Sequence, residues 1–187
     1  MTASDVFRRI VGALEQVGIP YMLTGSFAGS FHGAPRATQD IDIVVAPTQA
    51  QLRALVALLP PADYYVDEGA ALQAQRDEGQ FNIIDLATGW KVDLIVRKAR
   101  QFSREEFDRR EVVDFQGMPL AIATIEDVII AKLEWAKLGQ SQRQIDDSAR
   151  LLRIRAGDLD REYLVRWIAR LGLQEQWAAA TRAADLR

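Results

Sequence analysis

Apolar positions recur along this chain with two spacings, and the changes between them mark out a series of short elements. Phe7, Ile10, Val11 and Leu14 fall three or four apart, the spacing of one helix face. With Ser4 or Asp5 as cap, this pattern predicts a helix to about residue 17, stopped by Gly18 and Pro20. Tyr21-Met22-Leu23-Thr24 reads as a short buried strand, Gly25-Ser26 as a turn, and residues 27–31 as one or two helical turns rich in small side chains. Gly33 and Pro35 make residues 32–36 a loop, and Ala37-Thr38-Gln39 leads out of it. Asp40 to Val45 is a strand, because Ile41, Ile43, Val44 and Val45 suit a pleated, half-buried surface. Pro47 closes it. Thr48 caps a helix over 51–59 with Leu52, Leu55, Val56 and Leu59 inward, and Pro60-Pro61 ends that helix.

The second half repeats the logic. Residues 64–66 read as a strand and 67–76 as a helix. Residues 81–86 and 91–96 are strand-like runs joined by Ala-Thr-Gly-Trp, which predicts a hairpin. Residues 103–109 form a short charged helix. Runs 111–115 and 118–121 flank Gln116-Gly117 as another hairpin. From Thr124 the period becomes helical throughout, with helices to about 138, over 142–155, from 159 to 170 and over 173–184. Early acids at Glu126 and Asp127 suit the first of these starts. The expected organisation is an α+β domain over 1–123 followed by a helical subdomain over 124–187, with a cleft between them.

Composition narrows the class. The 187 residues are 49% hydrophobic and 26% charged, as in ordinary globular proteins. The net charge of −3 gives no sign of nucleic-acid binding, but the charge is unevenly spread. Residues 1–131 carry 12 basic and 18 acidic side chains, and residues 132–187 carry 11 and 8. A basic tail beside an acidic body suits a polyanionic substrate, although a solvated Arg-rich helical surface gives the same count. There is no cysteine, which excludes disulfides and thiolate metal sites. No apolar run approaches a membrane span, and the N-terminus lacks a signal-peptide pattern. The expected setting is the cytoplasm, without membrane contact.

Chemistry concentrates in GSFAGSFHGAPRATQDIDIVV, residues 25–45. Residues two apart in a strand share a face, so Asp40 and Asp42 project side by side. Two like charges held that close are best accommodated by a cation. Asp93 is a third carboxylate inside an apolar strand, with Asp85 as its rival at the end of the preceding run. Three carboxylates on neighbouring strands are what a pair of Mg²⁺ ions needs, with Mn²⁺ as an alternative. Upstream, Gly25 and Ser26 lie between a strand and a helix, where backbone N–H groups can hold phosphate oxygens.

This stretch resembles the nucleotidyltransferase superfamily, whose fold is shared with DNA polymerase β: a Gly-Ser turn, Asp-x-Asp, and a later strand Asp. The longer pattern is similar to the branch of AbiEii-like and uncharacterised bacterial nucleotidyltransferases, which carry a loop resembling H-G-x-P-R-x-T-x-D-I-D. The resemblance is strong over 25–45 and extends across most of residues 1–150. It implies a mixed sheet with packed helices, and Asp40, Asp42 and Asp93 as catalytic metal ligands. It also implies Gly25 and Ser26 at the triphosphate. Lys132 and the run Arg143-Gln144-Ile145-Asp146-Asp147 are similar to a basic residue and an R-x-x-D-like motif on the acceptor side. Two departures stand out: thirteen residues separate Ser26 from Asp40, and Gln144 stands where related sequences often have a basic residue.

The implied function is transfer of a nucleoside monophosphate from an NTP to a hydroxyl or phosphate acceptor, which could be RNA, protein or a small molecule. One rival is a toxin of a toxin–antitoxin pair using the same chemistry, with an antitoxin protein as partner. Another is a non-catalytic nucleotide- or partner-binding relative. Other residues have plainer readings beside the functional ones. Arg36 either reaches a phosphate or pairs with a strand carboxylate. Lys132 either faces the triphosphate or snorkels to the surface. His32, the only histidine, is expected to pack its loop. Of Asp146 and Asp147, adjacent on a helix, one can face the cleft. The four tryptophans are expected in the core or at a subdomain interface.

Overall fold

The computed structural model describes the backbone of residues 3–38, 40–115, 117–155 and 157–185, with side chains from Asp5 onward. The first helix begins at Ala3 and so already includes Ser4 and Asp5, the expected caps; the linker residue Gln39 and the turn residue Gln116 lie outside the described residues.

The chain forms an α+β fold that separates into two compact units. The first comprises residues 1–23 and 37–122, and the second residues 24–36 and 123–187.

The first unit is built on a mixed sheet. Its strands are β1 (Tyr21–Leu23), β2 (Asp40–Val45), β3 (Tyr64–Tyr65), β4 (Gln80–Asp85), β5 (Lys91–Val96), β6 (Glu111–Phe115) and β7 (Met118–Ile122), in the order β3-β4-β5-β2-β1-β7-β6. The expected hairpins are present as the antiparallel pairs β4–β5 and β6–β7. Parallel pairing joins β2 to β5 and β1 to β7. Strand β2 is central, and Ile41, Ile43 and Val45 on it are fully buried. Helix α1 (Ala3–Gln16) buries Phe7, Ile10, Val11 and Leu14, the stripe its spacing predicts. Helix α3 (Gln49–Leu58) starts with a capping box between Thr48 and Gln51 and buries Leu52 and Leu55. The unit also holds α4 (Glu68–Asp77), capped by Asp67, and α5 (Gln101–Asp108).

The second unit is helical. It contains α2 (Gly25–Phe31), α6 (Ile125–Gly139), α7 (Gln142–Arg155), α8 (Arg161–Leu171) and α9 (Gln174–Ala183). Val128, Ile129, Leu133, Leu151, Leu152, Leu164 and Trp167 form its core. Caps from Thr124 and Asp160 to backbone N–H groups three residues on fix the starts of α6 and α8. Trp135 departs from the expected placing of the tryptophans: it is exposed.

Gly25-Ser26 is not a separate turn. Thr24 is the N-cap, and Gly25 and Ser26 form the first turn of α2. Gly25 has φ of 65°, a left-handed conformation that glycine adopts without a Cβ penalty.

Candidate active site

Strand register brings the predicted carboxylates together in the sheet unit. In the parallel β2–β5 pair, Asp40 lies opposite Lys91 and Asp42 opposite Asp93. On the other side of β5, Asn82 lies opposite Asp93. Side chains alternate along a strand, so Asp40, Asp42, Lys91, Asp93 and Asn82 share one face of the sheet. Ile41, Ile43, Val92 and Leu94 fill the opposite face and are buried. Asp40 is exposed, Asp42 half-buried and Asp93 buried.

Lys91 is the residue sequence reasoning missed here. Its ammonium Nζ lies 3.0 Å from Asp93 Oδ2 and 3.4 Å from Asp40 Oδ1. The hydrogen bond to Asp93 holds its pKa above the ordinary lysine value; burial opposes this, and the charges of Asp93 and Asp40 add to it. The signal was present in the sequence, because Lys91 and Asp93 are two apart in a strand and so must share a face.

Asp85, the rival of Asp93, is committed elsewhere. Its buried carboxylate accepts from Arg9 Nη2 at 2.6 Å through one oxygen. The other oxygen accepts from the Thr88 amide at 2.9 Å and the Thr88 hydroxyl at 2.7 Å, fixing the β4–β5 turn.

Among the described residues, no group of three or more His, Asp or Glu side chains is drawn together closely enough to hold a metal ion as it stands. The donor set nevertheless fits a hard divalent cation in kind. It is all oxygen, it comes from adjacent rigid strands, and two of its carboxylates already share the Lys91 ammonium. An ion engaging both Asp40 and Asp93 would take the place of that ammonium.

The helical unit holds the other predicted residues. Ser26 is buried in the first turn of α2. Its hydroxyl accepts from Arg36 Nη2, and its carbonyl accepts from the Ser30 hydroxyl at 2.9 Å. Arg36 Nε is 3.3 Å from Asp147 Oδ2, and Lys132 Nζ is 3.0 Å from the same oxygen. Lys132 also donates to Gln144 Oε1 at 3.4 Å. Arg150 Nη1 lies 3.8 Å from Asp147 Oδ1. Ser26, Arg36, Lys132 and Asp147 line a small recess completed by Gly29, Ala34 and Leu151.

Three open readings narrow here. Lys132 does not snorkel: it is 5% exposed and ion-paired, deep on the α6 face that meets α7. Arg36 pairs with a carboxylate, that of Asp147 on helix α7. Of the adjacent acids, Asp147 turns inward while Asp146 is exposed and accepts from Gln142. His32 packs as expected, buried with its Nε2–H donating to the Ala123 carbonyl at 2.8 Å.

No protein-family model matches this sequence, and no curated protein matches it. Solved structures do. The antibiotic-resistance factor ANT(2'')-Ia is 16% identical over the whole of both chains, with a TM-score of 0.59. Its crystal structure in complex with adenylyl-2''-tobramycin matches at 15% identity, over 99% of this chain and 98% of that one, with a TM-score of 0.56. The lincosamide antibiotic adenylyltransferase LnuA, lincomycin-bound, is 12% identical over 82% of this chain and 98% of its own, with a TM-score of 0.56. An antigenic nucleotidyltransferase-like protein from Paracoccidioides brasiliensis is 18% identical over 93% and 90%, with a TM-score of 0.53. No helix among the described residues is long and apolar enough to cross a membrane. The mixed sheet, its strand-borne carboxylates and these likenesses together give the chain the nucleotidyltransferase fold.

Proposed function

We propose that this protein transfers a nucleoside monophosphate from an NTP to a hydroxyl acceptor, with Asp40, Asp42 and Asp93 as the ligands of divalent metal. The observation that carries this reading is the register pairing of Asp42 with Asp93 on adjacent parallel strands, beside Asp40 on the same face. Bound Mg²⁺ or Mn²⁺ would supply charge stabilisation for the attacking and leaving oxygens. Asp93, the most buried of the three, would accept the proton of the acceptor hydroxyl. The acceptor oxygen forms a bond to the α-phosphorus as the bond from that phosphorus to the bridging oxygen breaks, and pyrophosphate leaves. Gly25 and Ser26, at the start of α2, would take triphosphate oxygens with Arg36 and Lys132. The structural neighbours that modify antibiotics support a small hydroxyl compound as acceptor.

The test is direct. Calorimetric titration with Mg²⁺ and each NTP should show metal-dependent nucleotide binding, and Asp42→Asn should remove the metal dependence. Incubation with labelled NTPs and pools of small hydroxyl compounds, RNA and cell protein then asks which pool takes the label. Nucleotide binding indifferent to both metal and Asp42→Asn, with no labelled pool, would sink the reading.

A further inference from the structure

The recess of the helical unit sets two cations against one carboxylate oxygen. Arg36 and Lys132 line it, and Asp147 lies in ion-pair distance of both; the exposed Arg150 approaches the other Asp147 oxygen from outside the recess, at 3.8 Å. One oxygen, Asp147 Oδ2, serves both Lys132 and Arg36. Lys132 and Asp147 are nearly as buried as the apolar residues around them. A buried ammonium beside a half-buried guanidinium repels it unless an anion lies between them. The surrounding groups also suit an oxyanion. The Ser26 hydroxyl is held by Arg36, and the small residues Gly29 and Ala34 line the recess with them. Gln144, at 3.4 Å from Lys132, is the neutral neighbour on the rim.

We propose that Asp147 is an internal stand-in for a phosphate oxygen: its carboxylate holds Arg36 and Lys132 in place until a phosphate group takes them over. This rests on the assignment of Ser26, Arg36 and Lys132 to the triphosphate, and adds a residue that competes with that ligand. Asp147 is a positioning residue, since it acts through the two cations. It preorganises them at the cost of affinity, because an incoming phosphate meets a carboxylate already in its position. Such an arrangement makes phosphate affinity adjustable through the charge of two uncharged-or-acidic positions, 144 and 147, which contact Lys132 from the same helix.

Inorganic pyrophosphate is the probe, titrated by calorimetry into the full chain in the presence of a chelator, so that the strand carboxylates and any metal play no part. Asp147→Asn is expected to bind pyrophosphate about tenfold more tightly than the parent, the lower end of what close charge pairs are worth. In buffer alone it melts lower than the parent, and added pyrophosphate closes the gap. Gln144→Glu, a change at a half-exposed position, is expected to bind more weakly by a similar factor. A purely structural Asp147 would lower the melting temperature without raising affinity. Equal or weaker pyrophosphate binding by Asp147→Asn, with the parent binding well, overturns the stand-in role and leaves the proposed phosphate site intact. Absence of pyrophosphate binding in the parent and both variants overturns the inference together with that phosphate site, whereas metal-dependent nucleotide labelling is judged separately.

Discussion

Asp85 and Asp93 lie on neighbouring strands, and both are buried carboxylates, yet their partners predict opposite consequences of removal. Asp85→Ala deletes a charge-assisted bond from Arg9 and two bonds that close the β4–β5 turn. The first is worth about 1.5 kcal/mol, the low end for a charged bond, because Arg9 is 40% exposed. The two turn bonds add about 1 kcal/mol each. The sum of about 3.5 kcal/mol corresponds to a fall of roughly 10 °C in Tm for a chain of this length. Asp93→Asn instead breaks a pair with Lys91, whose side chain is 38% exposed. That loss is about 0–1 kcal/mol, a shift of at most roughly 3 °C. Thermal melts followed by circular dichroism, run beside nucleotide labelling, separate the two. Asp93→Asn should fold and fail to label, while Asp85→Ala should be destabilised and, when folded at low temperature, still label. The reasoning is refuted if Asp85→Ala melts with the parent, or if Asp93→Asn labels at the parent rate.

Two further perturbations follow from the same geometry. Lys91→Met removes the ammonium that Asp40 and Asp93 share, so Mn²⁺ affinity measured by calorimetry should rise about fivefold, as expected for a partly exposed charge pair; unchanged or weaker affinity would show that Lys91 does not compete for these oxygens. Burial first, and then the charge and hydrogen bond of Glu15, push the Tyr21 hydroxyl up to about 12. A raised pKa gives stability that is complete below the unfolded value of about 10 and is lost as pH rises toward 12, so urea midpoints should fall across that window in the parent and stay flatter in Tyr21→Phe.

The elements were legible wherever the side-chain period decided them. Strand β2 runs from Asp40 to Val45 as its alternation predicts, and α1 buries the four residues its spacing selects. The carboxylate face followed from the two-residue repeat alone, which fixes a face without any knowledge of the partner strand. What the sequence did not disclose depends on which elements meet. Arg36 pairs with a residue more than a hundred positions later because residues 24–36 pack with the helices, and no local pattern announces that. The burial of Lys132 has the same origin: its exposed or buried state turns on α7 arriving with Asp147. Trp135 shows the converse, since a large aromatic on an otherwise apolar helix reads as core until the helix orientation is known.

The placement of residues 24–36 has a consequence for synthesis and dissection. The helical unit takes α2 from early in the chain and its remaining helices from after residue 122. As the chain leaves the ribosome, Ala28 and Gly29 must wait for α6, nearly a hundred residues later, before their helix has its packing partner. The sheet unit likewise resumes only after that excursion, so β1 emerges before the strands on either side of it. A gene cut between residues 123 and 124 would therefore yield one fragment with an orphaned helix and another missing it. Splitting this protein for expression calls for co-expression of both pieces, or for a circular rearrangement that keeps α2 beside α6.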